Sequence, residues 1–470
     1  MFSLPQMAQL LDGEETATVQ GARSEPAQEK PGWVPKLRQE DVDMEHKNAW
    51  EEYMLRRGVV FMMIAVGFVI AFLLMSRLGF VHRAAKAADE AGAVPQKGGQ
   101  EQTGHYEVVP NWPKPLTSLP GHEKWTWGSA EGIFAENPNR IYVAQRGELP
   151  VLTRPTNTPI PQFGPSLSFP VNQAPFRNAS QGPVASPPSK GKSGVDYRWE
   201  HNLIVLDSQG NITENWSQWD SVLRKPHAVY VNPYDPEKHV WVVEDGRSQI
   251  FQFTHDGKKM VLELGTRDVP GEDDKHFNRP AFLAWLPDST MFVADGTDGT
   301  RVAKFDKNGK FLLTWGKKGE PGKETRPGYF NEVHGIAIDP VTRRVYVNDR
   351  ANHRIQVFDE NGKFLDQWST GDGASHIYSI YITADHYLWA SDSGTWKIIK
   401  WDLNGKYLYS FGYQGDAPGA FWGAHQFNVD QEGNLYVAEV SNGRVQKFRP
   451  KKGADPAKLV GKPVYAAWQR

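Results

Sequence analysis

Residues 330–368 read FNEVHGIAIDPVTRRVYVNDRANHRIQVFDENGKFLDQW. Residues 334–338 alternate and stop at Asp339-Pro340, and residues 344–348 (RVYVN) are β-branched and aromatic. RIQVF at 354–358 alternates again, DENG at 359–362 supplies a turn, and 363–368 form a fourth strand. Short strands separated by Asp, Asn, Gly and Pro clusters are a hairpin signature. Four of them in one repeating unit is the sequence form of a propeller blade.

The unit recurs. Upstream copies are KPHAVYVNPYDPEKHVWVVEDGRSQIFQFTHDGKKMVLELG at 225–265 and FNRPAFLAWLPDSTMFVADGTDGTRVAKFDKNGKFLLTWG at 277–316. Downstream copies occupy 375–412 and 421–448. An acidic residue closes each second strand, at Asp245, Asp295, Asp349, Asp392 and Glu439, spaced by 50, 54, 43 and 47 residues. That is close to a blade period. An earlier copy begins with EGIFAENPNRIYVAQRG at 131–147, with HNLIVLD at 201–207 as its third strand. Six copies predict an all-β, six-bladed propeller. A β-sandwich of many short strands would not hold so fixed a period. The last copy breaks at Arg449-Pro450, so residues 106–109 or 462–465 must supply its fourth strand and remove an open edge.

The chain has 470 residues, a formal net charge of −2 and no cysteine. Disulfides and thiolate metal sites are therefore excluded, and the charge balance gives no nucleic-acid footprint. Residues 1–55 are polar, with little apolar periodicity. Residues 58–76, GVVFMMIAVGFVIAFLLMS, are nineteen residues without a charge, long enough to span a bilayer core. A transmembrane helix over 56–81 follows, contacting lipid through 58–76. A polar head of this length argues against a cleaved signal peptide. Residues 82–105 form a small-residue linker, and 106–470 the propeller. A Pro-rich insertion at 148–196 leaves the first blade between its second and third strands; loops of that length are usually functional or disordered.

The chemistry sits at one register of the repeat. The first strands align as KPHAVYV, RPAFLAW, EVHGIAI, IYSIYIT and GAHQFNV. Histidine recurs at His227, His334 and His425, in blades two, four and six. First strands line the central channel, so alternate blades of six place three imidazoles around one axial point. That suits a three-His metal site with open positions, zinc being the default ion. Arg146 and Arg350 end second strands near the same rim. They could grip an anion or belong to a ring of salt bridges.

These repeats look like NHL repeats. The motifs PHAV, VHGI and AHQF, with QRG and NDRANHRIQVF, resemble the peptidyl-α-hydroxyglycine α-amidating lyase domain over roughly residues 106–448. That family splits a peptidyl-α-hydroxyglycine into a peptide amide and glyoxylate. The resemblance implies that His227, His334 and His425 bind zinc and that Arg146 and Arg350 bind substrate. It orients the N-terminus inside the cytoplasm and the propeller outside, periplasmic or extracellular. The family's catalytic tyrosine follows an Asp-Gly pair, where this chain has Thr297. A threonine lacks a phenol's acidity and reach; the neighbouring Asp298 is the other candidate base. A family calcium site maps to the backbone carbonyls of Ile133 and Val229 and to Gln426, where the family has an aspartate; an amide brings no charge to calcium. Two functions follow. One is a membrane-tethered, metal-dependent carbon–nitrogen lyase, expected to release little glyoxylate. The other is a non-catalytic propeller subunit of a larger membrane complex.

Overall fold

The computed structural model describes residues 102–151, 158–159, 168–169, 192–320, 324–371, 373 and 375–464. The proposed span at 58–76 lies outside them. Among the described residues no helix is long and apolar enough to cross a membrane.

Six four-stranded antiparallel sheets follow one another along the chain. Blade 4 comprises Val333–Ile338, Val345–Asp349, Arg354–Phe358 and Phe364–Ser369, within a residue or two of the sequence reading. The first strands of blades 1 to 6 are Trp125–Asn137, Pro226–Val231, Pro280–Trp285, Val333–Ile338, Ile377–Ile382 and Ala424–Val429. Blade 1 is interrupted between its second strand, Arg140–Pro150, and its third, Leu203–Leu206. Burial follows position in the blade. First and second strands are buried along nearly their whole length, whereas the fourth strands of blades 2 to 4 mix half-buried with exposed residues. Apolar faces of neighbouring blades meet in continuous clusters, such as Val293, Val302 and Phe305 of blade 3 with Ile336 and Val345 of blade 4.

Recurring side chains position each blade. A carboxylate at the end of the second strand accepts the backbone N–H just before the first strand: Asp295 from Asn278, Asp349 from Asn331, Asp392 from His376 and Glu439 from Trp422. In blade 2 this residue is Glu244, which accepts from Arg224 and Lys225. The sequence reading placed it one position later, at Asp245, which faces Arg146 and Arg279 instead. A second device links blades. The turn glycines Gly362 and Gly405, at φ 83° and 84°, sit so close to Trp315 and Trp368 of the preceding blade that a Cβ would stand 2.8 and 2.4 Å from the ring. Only glycine combines that conformation with that approach.

Closure comes from the segment before blade 1. Tyr106–Val108 adds antiparallel to Arg444–Pro450, with Tyr106 opposite Pro450 and Val108 opposite Phe448. The alternative strand does not form. Lys462 accepts the N–H of Ala384, and Gly461 accepts from the Tyr381 hydroxyl, so that segment crosses blade 5. Tyr465 lies outside the described residues. The Tyr106 ring is fully buried against Phe411, and its hydroxyl accepts the N–H of Val460. Tyr106→Ala removes a large buried ring from the closing strand, so urea unfolding should show a loss of about 3–5 kcal/mol. An unchanged midpoint would mean that the sixth blade closes without it.

Candidate metal centre

Each first strand carries a β-bulge at one register. Pairing with the second strand skips between Ala130 and Gly132, Pro226 and Ala228, Pro280 and Phe282, Val333 and Ile336, Ile377 and Ile380, and Ala424 and Phe427. A bulged residue leaves the ladder and its side chain is re-aimed. The residues so released are Glu131, His227, Ala281, His334, Tyr378 and His425, one per blade.

The three imidazoles meet on the axis. Ring centroids are 4.6 Å apart for His227 and His425, 5.0 Å for His227 and His334, and 5.5 Å for His334 and His425. One ring nitrogen from each lies within 4.8 Å of the others, and all three residues are buried. Each ring is held by the bulge residue of the next blade. His227 Nδ1 donates to the Ala281 carbonyl at 3.0 Å, His334 Nδ1 to Tyr378 at 2.7 Å and His425 Nδ1 to Glu131 at 2.6 Å. A carbonyl oxygen only accepts, so Nδ1 carries the proton and Nε2 keeps its lone pair. Backbone carbonyls behind imidazoles are a common way of orienting metal ligands. The residues therefore fit a divalent ion of the zinc type, bound by three nitrogens with positions left open.

Burial favours the neutral imidazoles. It is the main cause holding His227 and His334 well below the usual histidine pKa, with His425 and Arg350 respectively adding to it. It lowers His425 too, against the pull of Glu131. Phe282 packs within 5.1–5.2 Å of all three rings.

Charged groups surround the mouth. Arg146 is buried, with Nη1 2.9 Å from Glu131 and Nη2 3.7 Å from Asp245. Its Nε is buried without a hydrogen-bond partner. Burial raises the Asp245 carboxyl, but the charges of Arg146 and then Lys225 outweigh it and hold it well below the usual range. Arg350 donates from Nε to Glu332 at 2.9 Å and lies over the Tyr378 ring at 5.3 Å. Both arginines thus sit in ion pairs while keeping part of their donor forks free. Glu131 brings a carboxylate oxygen to 3.6 Å from His425 Nε2. Thr297 is a poor base here: its hydroxyl is buried and unpartnered. Asp298 pairs with Arg279 at 3.2 Å.

Tyr378 and Glu131 were not singled out in the sequence. The alignment above puts Ser379 at the histidine register of blade 5, one residue late. In the structure Tyr378 holds it, its ring 5.0 Å from His425 and 5.5 Å from His334.

The residues proposed for calcium do not fit that ion. Gln426 Oε1 accepts the N–H groups of Ile133 and Val229, both at 3.1 Å, and its Nε2 donates to the Val229 carbonyl at 2.9 Å. A cation there would face an amide NH₂ and compete for a carbonyl already in use. The side chain itself ties blades 1, 2 and 6 together.

An NHL-repeat family profile matches residues 330–358. The chain is 28% identical over 269 residues to the Xenopus laevis peptidyl-glycine alpha-amidating monooxygenase A, covering 55% of this chain and 28% of that protein. It is 27% identical over 282 residues to the Drosophila melanogaster peptidyl-alpha-hydroxyglycine alpha-amidating lyase 1, covering 55% and 51%. It is 30% identical over 233 residues to the mouse NHL repeat-containing protein 3, covering 46% and 63%. The chain thus spans only part of each relative's length. The fold is a six-bladed β-propeller, and one of its blades matches the NHL repeat. Within that class it resembles the peptidyl-α-hydroxyglycine α-amidating lyase domain.

The neutral histidines set a pH dependence. Unfolded, each takes up a proton near pH 6.5; folded, each resists it, so the metal-free chain loses stability as pH falls through that value. His227→Gln removes one such proton. Between about pH 7 and 5 its loss of stability should be shallower than wild type by up to ~1.4 kcal/mol per pH unit. Urea titrations of both metal-free proteins read the difference, because other titrating groups are common to the two. Parallel curves would show that folding leaves the proton affinity of His227 unchanged.

Proposed function

We propose that the chain is a metal-dependent carbon–nitrogen lyase acting on peptidyl-α-hydroxyglycine-type substrates, with the axial histidines as its metal ligands. The observation that carries this reading is the set of three imidazoles, each fixed by a carbonyl of the next blade so that its Nε2 faces the axis. The lyase relatives support the substrate class.

When bound, the metal supplies Lewis-acid polarisation of a substrate oxygen. The chain's own residues do the rest. The free part of the Arg350 fork binds the glycine carboxylate, and Arg146, through its unpartnered Nε, faces the oxygens on the opposite side. Phe282 and the buried histidine rings exclude water from the floor. The reaction moves the hydroxyl proton away, breaks the Cα–N bond and returns a proton to the amide nitrogen, giving a peptide amide and glyoxylate. With Thr297 at the position of the family's tyrosine, Tyr378 is the phenol placed to receive the hydroxyl proton and hand it on. Glu131 is already engaged by Arg146 and serves to position it.

Residues 58–76 serve in this reading as a single membrane anchor that holds the propeller, residues 106–470, outside the cytoplasm. Their nineteen uncharged residues support it. Alkaline carbonate should leave the full chain in the membrane pellet; release into the supernatant would count against the anchor.

The zinc-loaded chain should release glyoxylate from an α-hydroxyglycine peptide, and Tyr378→Phe should lower the rate roughly 10²–10⁴-fold. Thr297→Val should leave it nearly unchanged. Metal-loaded wild type that releases no glyoxylate would overturn the enzyme reading in favour of a docking subunit.

A further inference from the structure

A second group of metal-competent side chains lies away from the axis, at the stem of the blade-1 insertion. His122 precedes the first strand, Glu148 lies near the end of the second, and Glu200 and His201 precede the third. One ligand atom from each of the four lies within 4.8 Å of one from every other. Between Val151 and Lys192 the structure describes residues 158–159 and 168–169 alone. The two arms are joined by reciprocal backbone hydrogen bonds between Glu148 and Arg198, at 2.7 and 3.0 Å.

Glu148 organises the group. Its carboxylate is fully buried; Oε1 takes His201 Nδ1 at 2.5 Å and Oε2 takes His122 Nδ1 at 2.9 Å. Each carboxylate oxygen accepts from an Nδ1–H, which leaves Nε2 of each ring as the atom available to an ion. The His122 Nε2 stands 4.0 Å from a Glu200 carboxylate oxygen, wider than the roughly 3.3–3.6 Å between tetrahedral zinc ligands, a gap that rotation of the exposed Glu200 side chain closes. Carboxylate behind histidine is an arrangement that orients metal ligands and raises their basicity; here one carboxylate does so for two rings. Glu200 is exposed and His201 is buried, so an ion would be reached from solvent. His201 adopts φ 57°, an uncommon conformation for a residue with a side chain, and this places its ring on Glu148 and against Trp127. Arg198 approaches His122 Nδ1 at 3.4 Å, but it donates to the Gly121 carbonyl and stacks on Trp125. Its charge leaves the two carboxylates with a net negative balance for a divalent ion.

We propose that His122, His201 and Glu200, backed by Glu148, form a second divalent-metal site of the zinc class that clips the two arms of the insertion to the rim of blade 1. Closing a long loop at its base offsets part of the entropy of holding its ends together. The clip fixes the strand that also carries Arg146, so it couples the insertion's stem to the axial mouth.

The test separates the two sites. In full-length chain carrying His227→Ala and His334→Ala, one axial imidazole, His425, remains and cannot hold the ion alone, and added zinc should still bind at one equivalent by elemental analysis. Adding His201→Ala should abolish that uptake. Glu200→Gln, on an exposed side chain that cannot unfold the blade, should weaken zinc binding about tenfold or more. Circular dichroism checks that each variant is folded. If the folded axial-site variant takes up no zinc, or if Glu200→Gln and His201→Ala bind it as tightly as their parent, the group is a hydrogen-bonded cluster only. Neither result depends on the lyase reading.

Discussion

The centre depends on one local distortion repeated six times. A β-bulge in each innermost strand takes one residue out of the ladder and turns it toward the channel. In blades 2, 4 and 6 that residue is histidine, and in the blade that follows it is the acceptor of the histidine's Nδ1–H. Each imidazole is therefore oriented by a neighbouring blade rather than by its own. The geometry exists only when all six blades are closed, which ties the site to the terminal strand at Tyr106–Val108. A propeller without that strand would lose its edge protection and loosen the contact between blades 6 and 1, where His425 finds the Glu131 carbonyl.

Below the histidines the same blades are tied by amides rather than by an ion. Gln426 binds the backbone of Ile133 and Val229, and Asn428 accepts from Ala135. A neutral side chain gives up the long-range attraction of a bound cation but needs no ion from solution. Above the histidines the chain keeps charges: buried Glu131, Arg146 and Asp245, with half-buried Arg279, form one chain of ion pairs. Such a chain is costly to bury unless it is paired and hydrogen-bonded. Yet Arg146 Nε, a donor, and Asp245 Oδ1, an acceptor, are left without hydrogen bonds, and a buried polar atom without a partner calls for an explanation such as a bound ligand or ion.

Much of this was legible in the sequence because its signals are local. Period-two strands, Asp-x-x-Gly turns and a fixed interval define the blades, and the histidine register follows from aligning them. What escaped depended on a single residue of offset or on distant parts of the chain. The bulges shift the strand pairing, so Tyr378 hid behind Ser379, and two adjacent acidic residues let Asp245 stand in for Glu244. No short-range pattern announces that Gln426 reaches the backbone of blades 1 and 2, some two hundred residues or more earlier in the chain. The same holds for His122, Glu148 and His201, which three separate segments of blade 1 bring together. The choice between the two candidate closing strands was likewise open until packing decided it, since both are short, and it is Tyr106–Val108 that pairs with the last blade and buries the Tyr106 ring against Phe411.

The account rests on three imidazoles sharing one ion on the propeller axis. X-ray absorption on zinc-loaded His201→Ala chain, in which only the axial site can fill, tests this most directly. The account predicts three imidazole nitrogens at about 2.0–2.1 Å from the metal, with the remaining positions taken by light-atom oxygen. A shell with one imidazole or none, or a chain that takes up no zinc while His227, His334 and His425 are intact, would contradict it.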